Sequence, residues 1–324
     1  MLFVSMSAAQ RRGNQPDPAP RSNATTPRSS AIHTADIDPG TGRIGNVQKL
    51  PPEPLASELY PAWSPDGKSL AFRRAMTNSN TALSSYKIIV RSVADGKEKE
   101  APGATGDQNG KPVWFRDGKG FVQYSVNSRD LGRYDLATGV SKTLVRCSAV
   151  LALSPDDKSV YAQGTVQGAT ITTFTEYDLA TGLQKREPVM LPAIQIPNGI
   201  NRLSFSSSMS LSPDGKSIAY HRMPGTSHQI LIRVGVDGTG YQVLLPDTGI
   251  VQNVAWTADG KGILFARSVD ETDRWQILRI PATGGNPEFT GLEVTELRSF
   301  DLSADGTRIA FDGSSYTVFP PRRQ

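Results

Sequence analysis

Few residues of this sequence have the type and spacing to do chemistry, and most of them stand in turn-like surroundings. Gly40-Thr41-Gly42-Arg43-Ile44-Gly45 has the spacing of a phosphate-cradling G-x-G-x-x-G loop. Such a loop must follow a strand and open a helix, whose first amides hold the phosphates. Here Pro51, Pro52 and Pro54 follow closely and forbid a useful helix, so the segment reads as a tight turn. Asp36 and Asp38 have the opening spacing of a calcium loop, but the later ligand glutamate of an EF-hand is missing. A single cysteine, Cys147, excludes an internal disulfide and a cysteine-built zinc site. Within LVRCSAVLAL it reads as a buried structural thiol. No G-x-S-x-G, paired cysteine and histidine, or H-E-x-x-H occurs, and Ser314-Ser315 after Gly313 lacks the closing glycine of a nucleophile elbow. The sequence therefore assigns no catalytic residue, no cofactor-binding residue and no metal ligand, and the expectation is a protein that is not an enzyme.

Composition bounds the elements that could position a site. The 324 residues are 37% hydrophobic and 20% charged, enough for a sizeable core. No run of 18 apolar residues is present, so no transmembrane helix is expected. The net charge of +4 is uneven: residues 1–30 carry +3, the tail after Phe319 carries +2, and the body 31–319 carries −1. A body without a positive field offers nothing to draw a phosphate backbone, so nucleic acid is not an expected partner. Residues 1–30, rich in Pro, Ser, Arg, Asn and Thr, read as a disordered leader. Its apolar start MLFVSMSAA has two readings, the remnant of a secretory signal or a non-native start. Residues 320–324 read as a tail.

The body is built on a repeat. One half-motif occurs six times, as PAWSPDGKSLAF from Pro61, PVWFRDGKGFVQY from Pro112, LALSPDDKSVYA from Leu151, MSLSPDGKSIAY from Met209, VAWTADGKGILF from Val254 and FDLSADGTRIAF from Phe300. Its aspartates, Asp66, Asp117, Asp156, Asp214, Asp259 and Asp305, are separated by 51, 39, 58, 45 and 46 residues. Each copy reads as a β-hairpin, with apolar strands on both sides of a turn in which the aspartate bonds backbone N–H groups. Glycine then takes the left-handed position, and Asp157 replaces it in the third copy. Lying one per hairpin, these aspartates cannot converge on one ion. A second half-motif alternates with the first: VRSVADG from Val90, RYDLATG from Arg133, EYDLATG from Glu176, VGVDG from Val234 and IPATGG from Ile280. Two hairpins per unit predict four-stranded antiparallel blades, and the period is that of a propeller.

The count also predicts how the ring closes. The last unit, from Phe300, has only the first half-motif, whereas TADIDPGTGRIGNVQKL from Thr34 has only the second. Residues 31–50 are therefore expected to complete the blade begun by residues 299–311, giving six blades with the first pinned to the last. Tyr316–Phe319 offers an alternative third strand for that blade.

WSPDGKSLAF at Trp63–Phe72 and LSPDGKSIAY at Leu211–Tyr220, with the YDLATG copies, resemble the PD40 (WD40-like) repeats of the TolB-type β-propeller family. The resemblance covers about residues 31–319. It implies an all-β, six-bladed propeller, a bacterial and periplasmic or secreted protein, and a role in binding an envelope protein; the cytoplasm stays open. The mixed α/β domain that precedes the propeller in that family has no counterpart here, so no partner-contact residue is carried over.

The expected function is a non-catalytic scaffold that binds a protein or peptide on one face or in the central channel, acting as a monomer. The alternative is a sensory or gating propeller of a larger peptidase, lyase, kinase or DNA-binding system. Trp63, Trp114 and Trp256 at repeat positions read as core anchors, and Trp275 as structural. His221 and His228 read as a loop pair at a blade rim. The segments Ala75–Ser85, Gly103–Gly110, Arg186–Ser208 and Ser268–Arg274 break the repeat and read as inserts on the propeller faces. The longest, Arg186–Ser208, with Met190, Leu191, Ile194 and Ile196, is the candidate lining of a binding face.

Overall fold

A computed structural model describes residues 29–76, 85–101, 111–125, 130–146, 151–165, 172–191, 208–222, 229–246 and 248–321. Among them there are 25 strands and no helix. Six antiparallel sheets form the blades of a ring. Blade 1 is Ala56–Trp63, Ser69–Met76, Ser85–Ser92 and Glu98–Glu100. Blade 2 is Val113–Trp114, Gly120–Ser125, Asp130–Asp135 and Ser141–Arg146. Blade 3 is Leu151–Leu153, Ser159–Thr165, Thr172–Asp178 and Val189–Met190. Blade 4 is Met209–Leu211, Ser217–Arg222, Ile230–Gly235 and Gln242–Leu245, and blade 5 begins with Val251–Trp256, Gly262–Ser268, Arg274–Pro281 and Glu288–Thr295. Blade 6 joins Phe300–Leu302 and Arg308–Gly313 to Ala31–Ile37 and Ile44–Lys49.

The closure is the one the half-motifs predict. Ala31 pairs with Gly313, His33 with Phe311 and Asp36 with Arg308, so strands from the two parts of the chain share one sheet. This leaves no open sheet edge between first and last blades. Tyr316–Phe319 does not enter blade 6. Ser315–Val318 turns back and pairs with Glu288–Thr295 as a fifth strand of blade 5, Thr295 opposite Ser315 and Leu292 opposite Val318. Gly313 permits the reversal, because a Cβ there would run into Val294 Cγ1 and crowd Thr295 O.

The second strand of a blade is covered on both sides by neighbouring blades, which is why it reads as a continuous apolar run rather than an alternation. Leu70-Ala71-Phe72, Ile218-Ala219-Tyr220, Ile263-Leu264-Phe265 and Ile309-Ala310-Phe311 are all wholly buried. Burial of each large side chain contributes roughly 1.5–3 kcal/mol, so these triplets carry much of the blade packing. The apolar clusters span neighbouring sheets: Leu264, Ile277 and Leu292 of blade 5 pack with Ile309 and Phe311 of blade 6.

The turns use their aspartates as the sequence implies. Asp214 Oδ1 accepts Ser212 Oγ at 2.6 Å and Lys216 N at 3.0 Å, and Ser212 Oγ accepts Ser217 N at 2.9 Å. The same arrangement recurs at Asp66, Asp156, Asp259 and Asp305. In blade 2 Phe115 takes the hydroxyl position; the Arg133 guanidinium lies 4.0 Å above its ring and pairs with Asp117. The GTG of Gly40–Gly42 is the other repeated turn: Asp38 Oδ1 accepts Thr41 N at 2.6 Å and Thr41 Oγ1 at 2.7 Å, as Asp135 accepts from Thr138. Asp36 serves a different partner, Asn46 Nδ2 at 2.8 Å.

Three expectations need correction. His221 is in the strand Ser217–Arg222, not in a loop, and its imidazole is buried with a pKa lowered to about 4 by burial. Ser268–Arg274 is no facial insert but the turn of an ordinary hairpin, with Asp270 and Glu271 in left-handed conformations and Val269 N bonded to Arg274 O at 2.8 Å. Arg186–Ser208 is not wholly an insert either: Val189–Met190 is the fourth strand of blade 3, and Leu191 is buried between blades 3 and 4. Residues 1–28, Cys147, Ile194, Ile196 and His228, with residues 77–84 and 103–110, lie outside the described residues.

Candidate functional site

The first strand of every blade lines a central cavity of about 910 Å³. Because the strands run in one sense around the axis, the cavity has two unlike ends. Turn residues Pro65, Arg116, Asp157, Pro213, Ala258 and Ala304 surround one end. Tyr60, Lys111, Gln252, Asn253 and Arg298, each N-terminal to the last three residues of its blade's first strand, stand at the other, which we call the entrance.

At the turn end, successive hairpins touch. A Cβ at Gly215 would meet Pro155 Cδ at 2.9 Å, and one at Gly306 would meet Ala258 Cβ at 2.8 Å, each contact reaching to the preceding blade. Both glycines have positive φ, so the repeated glycine satisfies the turn and the close approach together. Asp157, in the glycine position of blade 3 with φ 56°, reaches back instead with its side chain, its Oδ2 accepting Arg116 N of blade 2 at 2.5 Å.

Cross-blade polar bonds organise the entrance. Asp301 of blade 6 accepts Trp63 N of blade 1 at 2.8 Å through Oδ2 and pairs through Oδ1 with Lys111, which precedes blade 2. One carboxylate thus ties three blades. Asp312, wholly buried in the second strand of blade 6, accepts Tyr60 N at 2.7 Å, Arg298 N at 2.6 Å and Ser299 N at 3.0 Å. Burial pushes its pKa up to about 6, while the three N–H donors and nearby Arg298 pull the other way. From blade 5, Asn253 Nδ2 donates to Arg298 O at 2.7 Å and Gln252 Nε2 donates to Leu297 O. The Arg298 guanidinium is exposed at the cavity and bonds no described residue.

The tryptophans divide. Trp63 and Trp256 are buried, whereas Trp114 is half-buried, and all three touch the cavity. Trp114 Nε1 donates to Ala62 O at 3.1 Å and Trp256 Nε1 to Ser210 O at 3.0 Å, in each case the first strand of the preceding blade. Trp63 instead lies beneath the Arg308 guanidinium at 4.3 Å.

Tyr60, Lys111, Arg298, Asp301 and Asp312 were not singled out by the sequence reading. Asp301 carried a visible signal, since the other five copies have Ala62, Val113, Ala152, Ser210 or Ala255 at that place. Asp312 stands at the register occupied by Arg73 in blade 1 and His221 in blade 4, directly after the apolar triplet. That position varies between copies, and in these three blades it holds a buried polar side chain. Among the described residues, no three His, Cys, Asp or Glu side chains lie together in an arrangement able to hold a metal ion, and no helix is long and apolar enough to cross a membrane.

Comparison with protein-family models and with curated proteins returns no match. The structure is similar to a putative TolB from Agrobacterium tumefaciens, with a TM-score of 0.63, 18% identity, and coverage of 90% of this chain and 99% of that one. It is also similar to TolB from Acinetobacter baumannii, with a TM-score of 0.57, 18% identity and coverage of 89% of this chain; the chain spans 65% of that TolB. An oligogalacturonate lyase in complex with manganese follows, with a TM-score of 0.52, 14% identity and coverage of 84% and 75%. The closed ring, the four-stranded blades and these neighbours together identify the fold as a TolB-type six-bladed β-propeller.

Proposed function

We propose that this propeller is a non-catalytic scaffold that receives a protein or peptide partner in its central channel. The observation that carries the reading is the cavity itself, about 910 Å³ and bounded by all six blades. A channel of that kind offers an extended segment many backbone and side-chain contacts on a rigid frame. The repeated carboxylates are already committed to turn hydrogen bonds, which favours a structural role for them. Function on a shared fold resides in the site rather than the scaffold, and the entrance is where this chain departs from its own repeat. As part of the same reading we place the protein in a bacterial periplasm or outside the cell, acting as a monomer, with no nucleic-acid partner.

Position-specific crosslinking tests the proposal. A photoreactive phenylalanine analogue is placed at Leu153 or Leu302, half-buried in the channel wall, and separately at Val140 or Leu183, exposed in outer turns. In cells making the full chain, the channel positions should capture the same partner and the outer positions should not. Capture from the outer turns alone, or none from the channel, overturns the reading.

The second reading is a sensory or gating module of a larger enzyme or signalling system. The structural likeness to a lyase propeller favours keeping it. Stable co-purification with a separate catalytic chain would select it.

A further inference from the structure

On the side of the channel entrance where blades 6, 1 and 2 meet, the described cations Lys111 and Arg298 stand near two carboxylates, Asp301 and the buried Asp312, whose oxygens are already engaged. The described body carries little net charge, so this sector is a local feature rather than a consequence of overall basicity. Among the described residues five charged side chains line the cavity: Lys111, Arg298 and Asp301 toward the entrance, and Arg116 and Asp157 at the turn end. At the entrance the carboxylates of the described residues are already used. Asp301 spends one oxygen on Trp63 N–H and the other on Lys111, and both oxygens of Asp312 face backbone N–H groups beneath the surface. The Arg298 guanidinium makes no hydrogen bond or ion pair with a carboxylate of the described residues; Asp312, which it stabilises at longer range, has its oxygens on backbone N–H groups. Its backbone is nevertheless held on both sides, N–H to Asp312 Oδ1 at 2.6 Å and C=O from Asn253 Nδ2 at 2.7 Å. The Lys111 ammonium also has donor capacity beyond its single pairing.

A guanidinium presents a planar fork that matches a carboxylate in two parallel hydrogen bonds, and a fixed backbone reduces the entropy lost on forming them. We propose that this sector of the entrance is a carboxylate-binding site, which takes an acidic side chain or the C-terminal carboxylate of the bound polypeptide with Arg298 as its anchor. The inference rests on the channel reading and adds to it the chemistry of the partner. Lys111 supplies a second cation and remains tied to Asp301, so a bound carboxylate need not break the bond that joins blades 6 and 2.

Trp63, Trp114 and Trp256 touch the same cavity, so their fluorescence reports occupancy. The probes are Ac-GGEEGG-NH2, its Gln and Lys counterparts, a hexaglycine with a free C terminus, and inorganic phosphate, titrated into the full chain at low and physiological salt. The glutamate peptide or the free C terminus should bind about tenfold or more tightly than the glutamine peptide, with affinity falling as salt rises. Which of the two binds names the source of the carboxylate. Arg298→Gln should remove that preference, and Arg298→Glu should transfer it to the lysine peptide; an unchanged melting curve shows that either variant is folded. Equal binding of the glutamate, glutamine and free-C-terminus peptides overturns this inference while the crosslinking result still decides the channel reading. Binding by phosphate alone, or by no probe, also overturns it.

Discussion

The two ends of the channel are built from the same six strands, yet they are held together differently. At the turn end, neighbouring blades meet mostly through letters of the repeat, glycine against proline or alanine, with the repeated aspartates closing their own hairpins and Asp157 and Arg308 bonding across, to Arg116 N and Gly67 O. At the entrance they meet through residues that differ from copy to copy, Asp301, Asp312, Lys111, Asn253 and Gln252, which reach into neighbouring blades. Repetition thus supplies a uniform ring, and departure from it supplies both the joints near the closure and the Arg298 guanidinium at the entrance.

The sharpest way to break this comparison is Asp312→Ala. It leaves the N–H groups of Tyr60, Arg298 and Ser299 without their acceptor, two of them at buried or half-buried residues. A loss of about 3–5 kcal/mol in urea-induced unfolding is expected, concentrated at the blade 6–blade 1 joint. At the turn end, Thr257→Val keeps the shape of a buried side chain but removes the acceptor of Gly262 N and the donor to Asp259. About 2 kcal/mol is expected from the same measurement. A loss as large as that of Asp312→Ala would contradict the view that entrance carboxylates join blades while the repeated turn hydroxyls serve single hairpins. Trp114→Phe removes one indole bond between blades 1 and 2 and should cost about 1 kcal/mol, read as a small fall in Tm.

A pH titration of stability sharpens the contrast within blade 6. Asp312 has a folded-state pKa of about 6, above its ordinary 3.8, so the folded chain holds that proton more tightly. Its contribution is greatest below the lower value and is lost as pH rises through the upper one. His33 behaves oppositely. Buried, stacked on Phe311 at 5.1 Å and edge-on to Tyr316 at 5.1 Å, it has a pKa lowered from 6.5 to about 4 by burial, with Lys49 adding to the effect. The unfolded chain then binds more protons across that window, so this contribution is lost as pH falls. The two slopes oppose each other between about pH 4 and 6. His221, also held at about 4 by burial, acts in the same sense as His33. His33→Phe should therefore keep the aromatic packing and remove one of the two imidazole contributions that raise stability with pH across that interval, leaving a flatter rise in urea unfolding at several pH values.

Much of the fold was legible because it depends on local chemistry. S-P-D-G-K fixes a turn through its own proline, aspartate and glycine, and an apolar triplet such as Leu70-Ala71-Phe72 needs burial on both sides wherever it lies. The half-motifs at the two ends of the body even foretold the shared blade. The fifth strand of blade 5 was not foreseen in that place, because Ser315–Val318 has exposed side chains and its pairing is set by the reversal at Gly313. His221 was misread as a loop residue, since polarity at the end of an apolar run looks like the end of the strand.

The site was less legible for a related reason. An aspartate in FDLSADG differs from its counterparts in the sequence, but its partners Trp63 and Lys111 are 238 and 190 residues away. By itself the sequence determined the hairpins, the number of blades and the strands that close the ring, because turn chemistry and apolar periodicity act over neighbouring residues. Only the tertiary structure decided which carboxylates are satisfied across blades and which cation is left facing the channel, because those bonds exist only once the ring has brought distant copies side by side.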